Sequence, residues 1–136
     1  MEKISPEEYR KILEGLELID IVLSSIKAEI KHDMLSEGMK ISIKDSAEYE
    51  LTENDEFVVK DRYVLTAKNT KNKTALKIEA VYVLVFETKL KITDDFFEIY
   101  KETSLPLNVW PFFRELVNSI TGRMNIPPLT LPLLKR

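Results

Sequence analysis

The chain has no cysteine in its 136 residues. That removes disulfides, thiol catalysis and thiolate metal sites together, and it fits a reducing compartment, so a cytoplasmic protein is expected. There is one histidine, His32, beside Asp33. With no second imidazole, neither a zinc site nor a histidine relay is expected, and His32 reads as a strand-end residue. The glycines are only Gly15, Gly38 and Gly122, too scattered for a phosphate-cradling loop. No apolar run reaches the length of a membrane span. Met1 is followed by Glu2, Lys3 and a helix start, which is not the pattern of a signal peptide. Neither sign of charge dominates: 20 basic and 23 acidic residues are mixed along the chain for a net −3. That argues against nucleic-acid binding through bulk charge. Glutamine is absent and Lys and Glu carry most of the charge, a composition that leans toward a thermophile source.

The length suits one domain with a core of its own, in no need of staples. "SPEEYRKILEGL" opens with a capping box, Ser5 with Glu8, and Pro6 sits where a helix tolerates it. Tyr9, Ile12, Leu13 and Leu16 share one face, so the spacing predicts a helix over 5–17. In "LIDIVLSSIKAEIKH" the spacing of Ile19, Leu23, Ile26 and Ile30 would prolong that helix, but the β-branched content and late alternation predict a strand from 19 to 32. "ISIKDSAEYEL", "EFVVKDRYVLTAK" and "TALKIEAVYVLVFETKLKI", separated by "ENDE" and "NTKNK", read as an antiparallel meander. The last of these strands is apolar on both faces: Ile78, Ala80, Tyr82, Leu84 and Phe86 on one, Val81, Val83 and Val85 on the other. Cover on both sides is expected there. Its length implies a bend, a bulge or a subunit interface. "TDDFFEIYKETS" predicts a short helix capped by Thr93 or Asp94, stopped before Pro106.

"VWPFFRELVNSITGRMNIPPLTLPLL" closes the chain but for Lys135 and Arg136. Asn108 reads as the N-cap of a last helix, with Pro111 in its first turn and Gly122 at a left-handed C-cap. Val109, Phe112, Phe113, Leu116, Val117 and Ile120 form its apolar stripe. "PPLTLPLL" can be neither helix nor central strand and is expected to be extended and attached to the surface. The reading is thus an α+β fold. A helix over 5–17 precedes a four-stranded antiparallel sheet over 19–91. Two helices follow over 93–122, and an extended segment over 123–136.

The stretch "WPFFRELVNSITGRMNIPPLTL" resembles the signature near the C-terminus of the SecB family of export chaperones: Trp110, Pro111, Phe112, Arg114, Glu115, Gly122, Arg123, Pro127, Pro128 and Leu129 carry the likeness. With a helix before the first strand, the chain is most similar to the SecB-like chaperones that accompany toxin–antitoxin systems. The resemblance implies helices on one face of the sheet and two chains pairing their sheets. It implies two such dimers sandwiching the long helices into a tetramer, with unfolded polypeptides held in apolar grooves. It names a SecA-type motor or an antitoxin as partners. Family members that deliver to the motor usually continue into a further helix and an acidic tail; this chain ends at Arg136, so delivery is the weaker implication.

On that basis the groove candidates are Met34, Leu35, Met39, Tyr82, Trp110, Phe113, Met124, Ile126, Leu129 and Leu131. Pro111, Arg114, Glu115, Gly122, Arg123, Pro127 and Pro128 are candidates for shaping the motif. Phe112, Leu116, Val117 and Ile120 are oligomer-contact candidates. Glu79 and Glu87 would form an acidic docking edge, or merely keep the sheet soluble. "MNIPPLTLPLL" is either a groove wall or a strap over the domain's own core, and Met34, Leu35 and Met39 either tuck onto the sheet or form an adaptable lip. Asp94 and Asp95 read as helix caps rather than catalytic carboxylates, and Lys68, Lys71, Lys73 and Lys77 as a solvated hairpin rather than a phosphate patch. No cofactor, metal site or enzymatic activity is expected. The expected function is ATP-independent binding of non-native polypeptides. The rivals are a protein dedicated to one partner and, less well supported, a small-ligand domain using the cavity between sheet and helices.

Overall fold

A computed structural model describes residues 4–132. Helix α1, Pro6–Glu14, leads directly into strand β1, Leu16–Ile30. Strands β2 (Lys40–Leu51), β3 (Glu56–Lys68) and β4 (Thr74–Thr88) follow. Helices α2 (Asp94–Tyr100) and α3 (Ser104–Gly122) follow, and a single 3-10 turn, His32–Met34, lies between β1 and β2. The sheet order is β1-β4-β3-β2, antiparallel throughout. The expected meander is present, and β1 is added at the far edge by a connection, residues 31–39, that crosses one end of the sheet.

Ser5 caps α1 by accepting from the Glu8 amide at 3.1 Å. The helix stops at Glu14, before the expected end at 17, because Leu16 already pairs with Thr88 of β4. β1 carries two register shifts, between Leu18 and Asp20 and between Leu23 and Ser25. Each bulge resets the phase of alternation. Leu18, Ile21, Leu23 and Ile26 thereby all face the helix side, opposite Phe86, Leu84, Tyr82 and Ala80. Two tight turns join the meander, each with a residue in the left-handed region: Asp55 (φ 59°) and Asn72 (φ 63°). Asn69 anchors the second by accepting from the Lys71 and Lys73 amides at 3.0 and 2.9 Å.

The core lies between the helices and one face of β3 and β4. Phe57, Val59 and Leu65 of β3 and Ile78, Ala80 and Leu84 of β4 are fully buried, under Phe96, Leu105, Val109, Phe113 and Val117. Phe57 touches Tyr49, Phe86, Phe96, Phe97 and Tyr100 by ring contacts. Tyr9 docks α1 by stacking on Phe96 with centroids 4.9 Å apart. The expected cover over the other face of β4 is not supplied by the described residues: Val81, Val83 and Val85 are half-exposed there.

α3 begins at Ser104, not at Asn108, so Pro106 lies in its first turn instead of stopping the chain, and Pro111 lies in its interior. An interior proline deprives the carbonyl four residues back of its donor. That residue, Leu107, and Pro111 itself are both exposed, so water can serve the carbonyl. The buried face of α3 is the row Leu105, Val109, Phe113, Val117 and Thr121, spaced four apart. Phe112, expected in the stripe, is half exposed. Gly122 is helical and caps nothing; Arg123 is the C-cap, and the left-handed residue is Asn125 (φ 59°).

Candidate client-binding surface

The segment after α3 returns along the helix, held by α3 side chains. The Thr121 hydroxyl donates to the Val117 carbonyl at 2.7 Å and accepts the Leu129 amide at 2.8 Å. Asn118 donates to the Leu129 carbonyl and to Thr130 Oγ1. Arg114 Nε donates to the Leu131 carbonyl at 2.6 Å, and Trp110 Nε1 to the Pro132 carbonyl at 3.0 Å. These side chains sit on one flank of α3, Trp110, Arg114 and Asn118 donating to carbonyls and Thr121 accepting an amide of a segment that forms no ladder of its own. Pro128 lies 3.5 Å from where a Cβ at Gly122 would stand, an ordinary van der Waals distance, so the strap packs beside Gly122 without requiring a glycine there. Residues 123–132 are therefore a strap on this chain's own helix, with Leu131 buried and Leu129 packed on the core. Residues 133–136 of the expected extended segment lie outside the described residues.

Several groove candidates are not on the surface. Tyr82, Phe113 and Leu131 are buried in the subunit's core, as is Val117 among the oligomer-contact candidates. Burial pushes the Tyr82 phenol up to about 12, with the Glu115 charge adding to the effect. Phe113 lies against Tyr63 with centroids 4.7 Å apart. Leu116 and Ile120 are half-buried against the core, and Phe112 stands free. Met34, Leu35, Met39, Trp110, Met124 and Ile126 are half-exposed. His32 gathers some of these: its Nε2 lies 2.7 Å from the Met124 carbonyl, tying the crossing segment with Met34 and Leu35 to the end of α3 with Met124 and Ile126. Asn69 donates to the Met34 carbonyl from the adjacent hairpin at 2.9 Å.

Glu79 is not a free docking carboxylate. Arg62 and Lys77 each reach it at 3.1 Å, and their hydrogen bonds, Lys77 foremost, hold it below the usual carboxylate range. Glu87 is exposed, without an ion pair among the described residues. Asp94 accepts from the Tyr49 hydroxyl, Thr93 rather than either aspartate caps α2, and Asp95 lies in the first turn of the helix.

Exposed apolar surface also comes from residues that are not among the groove candidates. Leu18, Leu23 and Ile26, on the helix-facing side of β1, are 40–44% exposed, because the helix layer ends over β4. Trp110 and Phe113 of α3 meet Tyr63 of β3, which sets the strap-bearing flank of the helix over β3. Helical spacing then turns the opposite flank, with Phe112, toward β4 and β1. An apolar ledge on β1 and an exposed phenylalanine thus look onto one open side, along an edge strand whose outer backbone groups have no strand partner among the described residues. The open concavities elsewhere are small: about 400 Å³ beside Tyr9, Leu13 and Ile99, and about 330 Å³ beside Lys27, Lys31 and Thr74.

Asp61 is the outlier of the interior. It occupies the helix-facing row of the interior strand β3, 0% exposed, and neither carboxylate oxygen has a hydrogen-bond partner among the described residues. Burial, and secondarily the Asp45 charge, push its carboxyl up to about 7. The row Phe57, Val59, Asp61, Tyr63, Leu65 marks it in the sequence as an acid in an apolar register.

No family model matches the chain, and no curated protein matches it. A solved structure does. It is the Mycobacterium tuberculosis Rv1957 SecB-like chaperone in complex with a ChAD peptide from the Rv1956 HigA1 antitoxin, with a TM-score of 0.78 and 22% identity over 95% of this chain and 98% of that one. The chain has the SecB-like fold. A second structure, of a protein of unknown function from Streptococcus agalactiae, aligns with a TM-score of 0.48 and 8% identity over 87% of this chain and 97% of that one, too distant to carry an inference. Within the SecB-like fold, the described residues contain no helix long and apolar enough to cross a membrane.

Proposed function

We propose that this chain is an ATP-independent, non-catalytic chaperone of the cytoplasm that holds non-native polypeptides against apolar surface. The observation that carries the reading is the open apolar ledge of β1, with Leu18, Leu23 and Ile26 each at least 40% exposed on the side of the sheet where Phe112 also stands free. Contiguous exposed apolar surface marks interaction sites, and an unpaired strand edge accepts an extended chain by backbone pairing. Several weak contacts along one wrapped client give useful affinity without sequence specificity. The β1 edge takes either an extended client or the β1 of a second chain; in the second case clients rest on the apolar ledge alone, and the free side of α3 suits packing of two such dimers into a tetramer. Met34, Leu35, Met124 and Ile126, gathered by His32, form a second apolar lip.

A client restricted to one partner, such as an antitoxin segment, is the second reading. The Rv1957 structure, which holds an antitoxin peptide, favours it. Transfer to a SecA-type motor for export is a further destination for held clients. The test is suppression of client aggregation without nucleotide, for several unrelated clients. Suppression of all, lost in Phe112→Asp, supports a general holdase; suppression of none contradicts it; suppression of one only points to the dedicated partner.

A further inference from the structure

The face of the sheet turned away from the helices carries no aromatic ring: every Phe, Tyr and Trp of the chain lies on a helix or in a helix-facing row of a strand. The register also separates charges that the sequence mixes. At the β3–β4 turn, Lys40 of β2 and Lys68 of β3 stand directly opposite one another, with Lys71 and Lys73 in the turn that follows. The next row sets Lys77 of β4 beside Thr66 and Ser42, and the one after it carries Lys44 of β2 and Lys27 of β1. Arg62 of β3 and Ser46 of β2 follow. The acids in these rows lie on β4 and β1: Glu79, held by Arg62 and Lys77 at 3.1 Å each, and Glu29, opposite Lys77. Asp33 and Glu37 belong to the crossing segment, which His32 ties to the end of α3 on the helix side. The β2–β3 half of this end is therefore free of acids. Beyond Arg62 the sign reverses: Glu48, Glu50 and Asp20, then Glu56, Glu87 and Glu17, share the remaining rows with Lys60 as their one base. Like charges directly opposite one another destabilise a sheet, so the Lys40–Lys68 pair costs the isolated chain stability. Lysines on an edge strand resist unwanted pairing, but Lys68 and Arg62 sit on the interior strand β3, where that role is absent.

We propose that the basic end of this outer face binds the sugar–phosphate backbone of a nucleic-acid duplex, without reading its sequence. The lysine and arginine side chains there only donate, and the Ser and Thr hydroxyls between them can donate, which matches a backbone whose phosphates only accept. An acidic polypeptide brings a backbone donor with almost every acceptor, and the ladder groups of the interior strands are already paired. An anionic bilayer would lie flat on the whole face and press on the acidic rows, which begin about 14 Å from Lys44 along β2. A duplex crossing one end avoids them. With no ring on the face to stack an unpaired base, the regular phosphates of a duplex suit it better than a single strand. From Lys40 to Lys44 the patch runs about 14 Å, the axial length of about four nucleotides of one strand. Read in the sequence, the hairpin lysines form a solvated turn; the register adds Lys40, Lys44 and Arg62 to them from other parts of the chain. With a net charge of −3 the attraction is local to this end. The inference is independent of the chaperone reading, which uses the opposite face and the β1 edge.

The test is fluorescence anisotropy of a labelled DNA duplex of mixed sequence, titrated with the full chain at rising salt. Binding is expected at low salt, with log K falling against log salt at a slope of about −3.5, as about four phosphate contacts require. A duplex of unrelated sequence is expected to bind within about twofold. Lys44→Glu with Lys68→Glu is expected to weaken binding at least about tenfold and to flatten the slope. Lys89→Glu with Lys91→Glu makes the same change of net charge at exposed positions outside the patch and is expected to cost less than about threefold. Both double variants are expected to unfold in urea no earlier than wild type, since Lys68→Glu also removes the repulsion from Lys40. No binding by the wild-type chain, a Lys44 and Lys68 variant that binds as well, or equal losses in the two double variants would each overturn the proposal. So would equally strong binding of phosphatidylglycerol vesicles or of polyglutamate, which would assign the patch to a bilayer or an acidic chain. Client holding, measured separately, is expected to be unchanged in both variants.

Discussion

The helix-facing side of the sheet is finished over β3 and β4 and unfinished over β1. The side chains are of the same kind in both places. Leu84 of β4 is fully buried, whereas Leu23, two residues from its cross-strand partner Ile21, is 40% exposed. The difference lies in the helix layer: the buried row of α3 and the rings of α2 cover two strands, and the strap closes the β3 flank only. Where cover is complete, apolar side chains hold the subunit together. Where it stops, side chains of the same chemistry are left exposed.

The largest effect that sharpens the comparison is truncation on the two sides of the boundary. Phe113→Ala, beneath α3 and against Tyr63, is expected to cost about 3–5 kcal/mol in urea unfolding, while Leu23→Ala costs under about 1 kcal/mol. Equal losses would mean that β1 is covered after all.

Next is Asp61, the buried acid among the described residues of the finished region. Its carboxyl titrates near 7 in the folded chain and near 3.8 when unfolded. The folded chain therefore keeps a proton that the unfolded chain has released, so the stability associated with Asp61 is present below about pH 4 and lost as pH rises to about 7. Asp61→Asn is expected to flatten that decline and to raise stability at pH 8 by about 2–4 kcal/mol. Denaturant titrations of both proteins from pH 4 to 8 check it; parallel curves would contradict the assignment.

A smaller effect tests the strap. Thr121→Val removes the acceptor of the Leu129 amide and is expected to cost about 1–2 kcal/mol. Amide exchange at Leu129 should quicken while exchange in β3 stays slow. Exchange that quickens everywhere would mean that the strap is not a separable unit.

How much of this was legible follows from local rules. The meander is written in period-two alternation and polar turns, and the cap of α2 in Thr93, because those signals lie within a few residues of one another. β1 was ambiguous because its two bulges break the alternation; Leu18, Ile21, Leu23 and Ile26 reach one face only when those insertions are known. The start of α3 was hidden by Pro106, which signals a stop when read alone and fits a first turn when Ser104 and Leu105 are already helical. The motif "WPFFRELVNSI" indicated the fold correctly, but its polar members hold the strap, a role set by tertiary contacts. The ledge on β1 could not be read at all, since exposure depends on where a helix layer ends.

The central claim is that the uncovered apolar side holds non-native chains. The most direct measurement is size exclusion with light scattering on a mixture with a protein that stays unfolded in native buffer, for the wild-type chain and for Leu23→Asp with Ile26→Asp. The account predicts a complex containing both chains for the wild type, and at least about a tenfold weaker complex for the variant with its secondary structure intact. Wild-type chain that elutes apart from the client, or a variant that binds it equally well, would contradict the account.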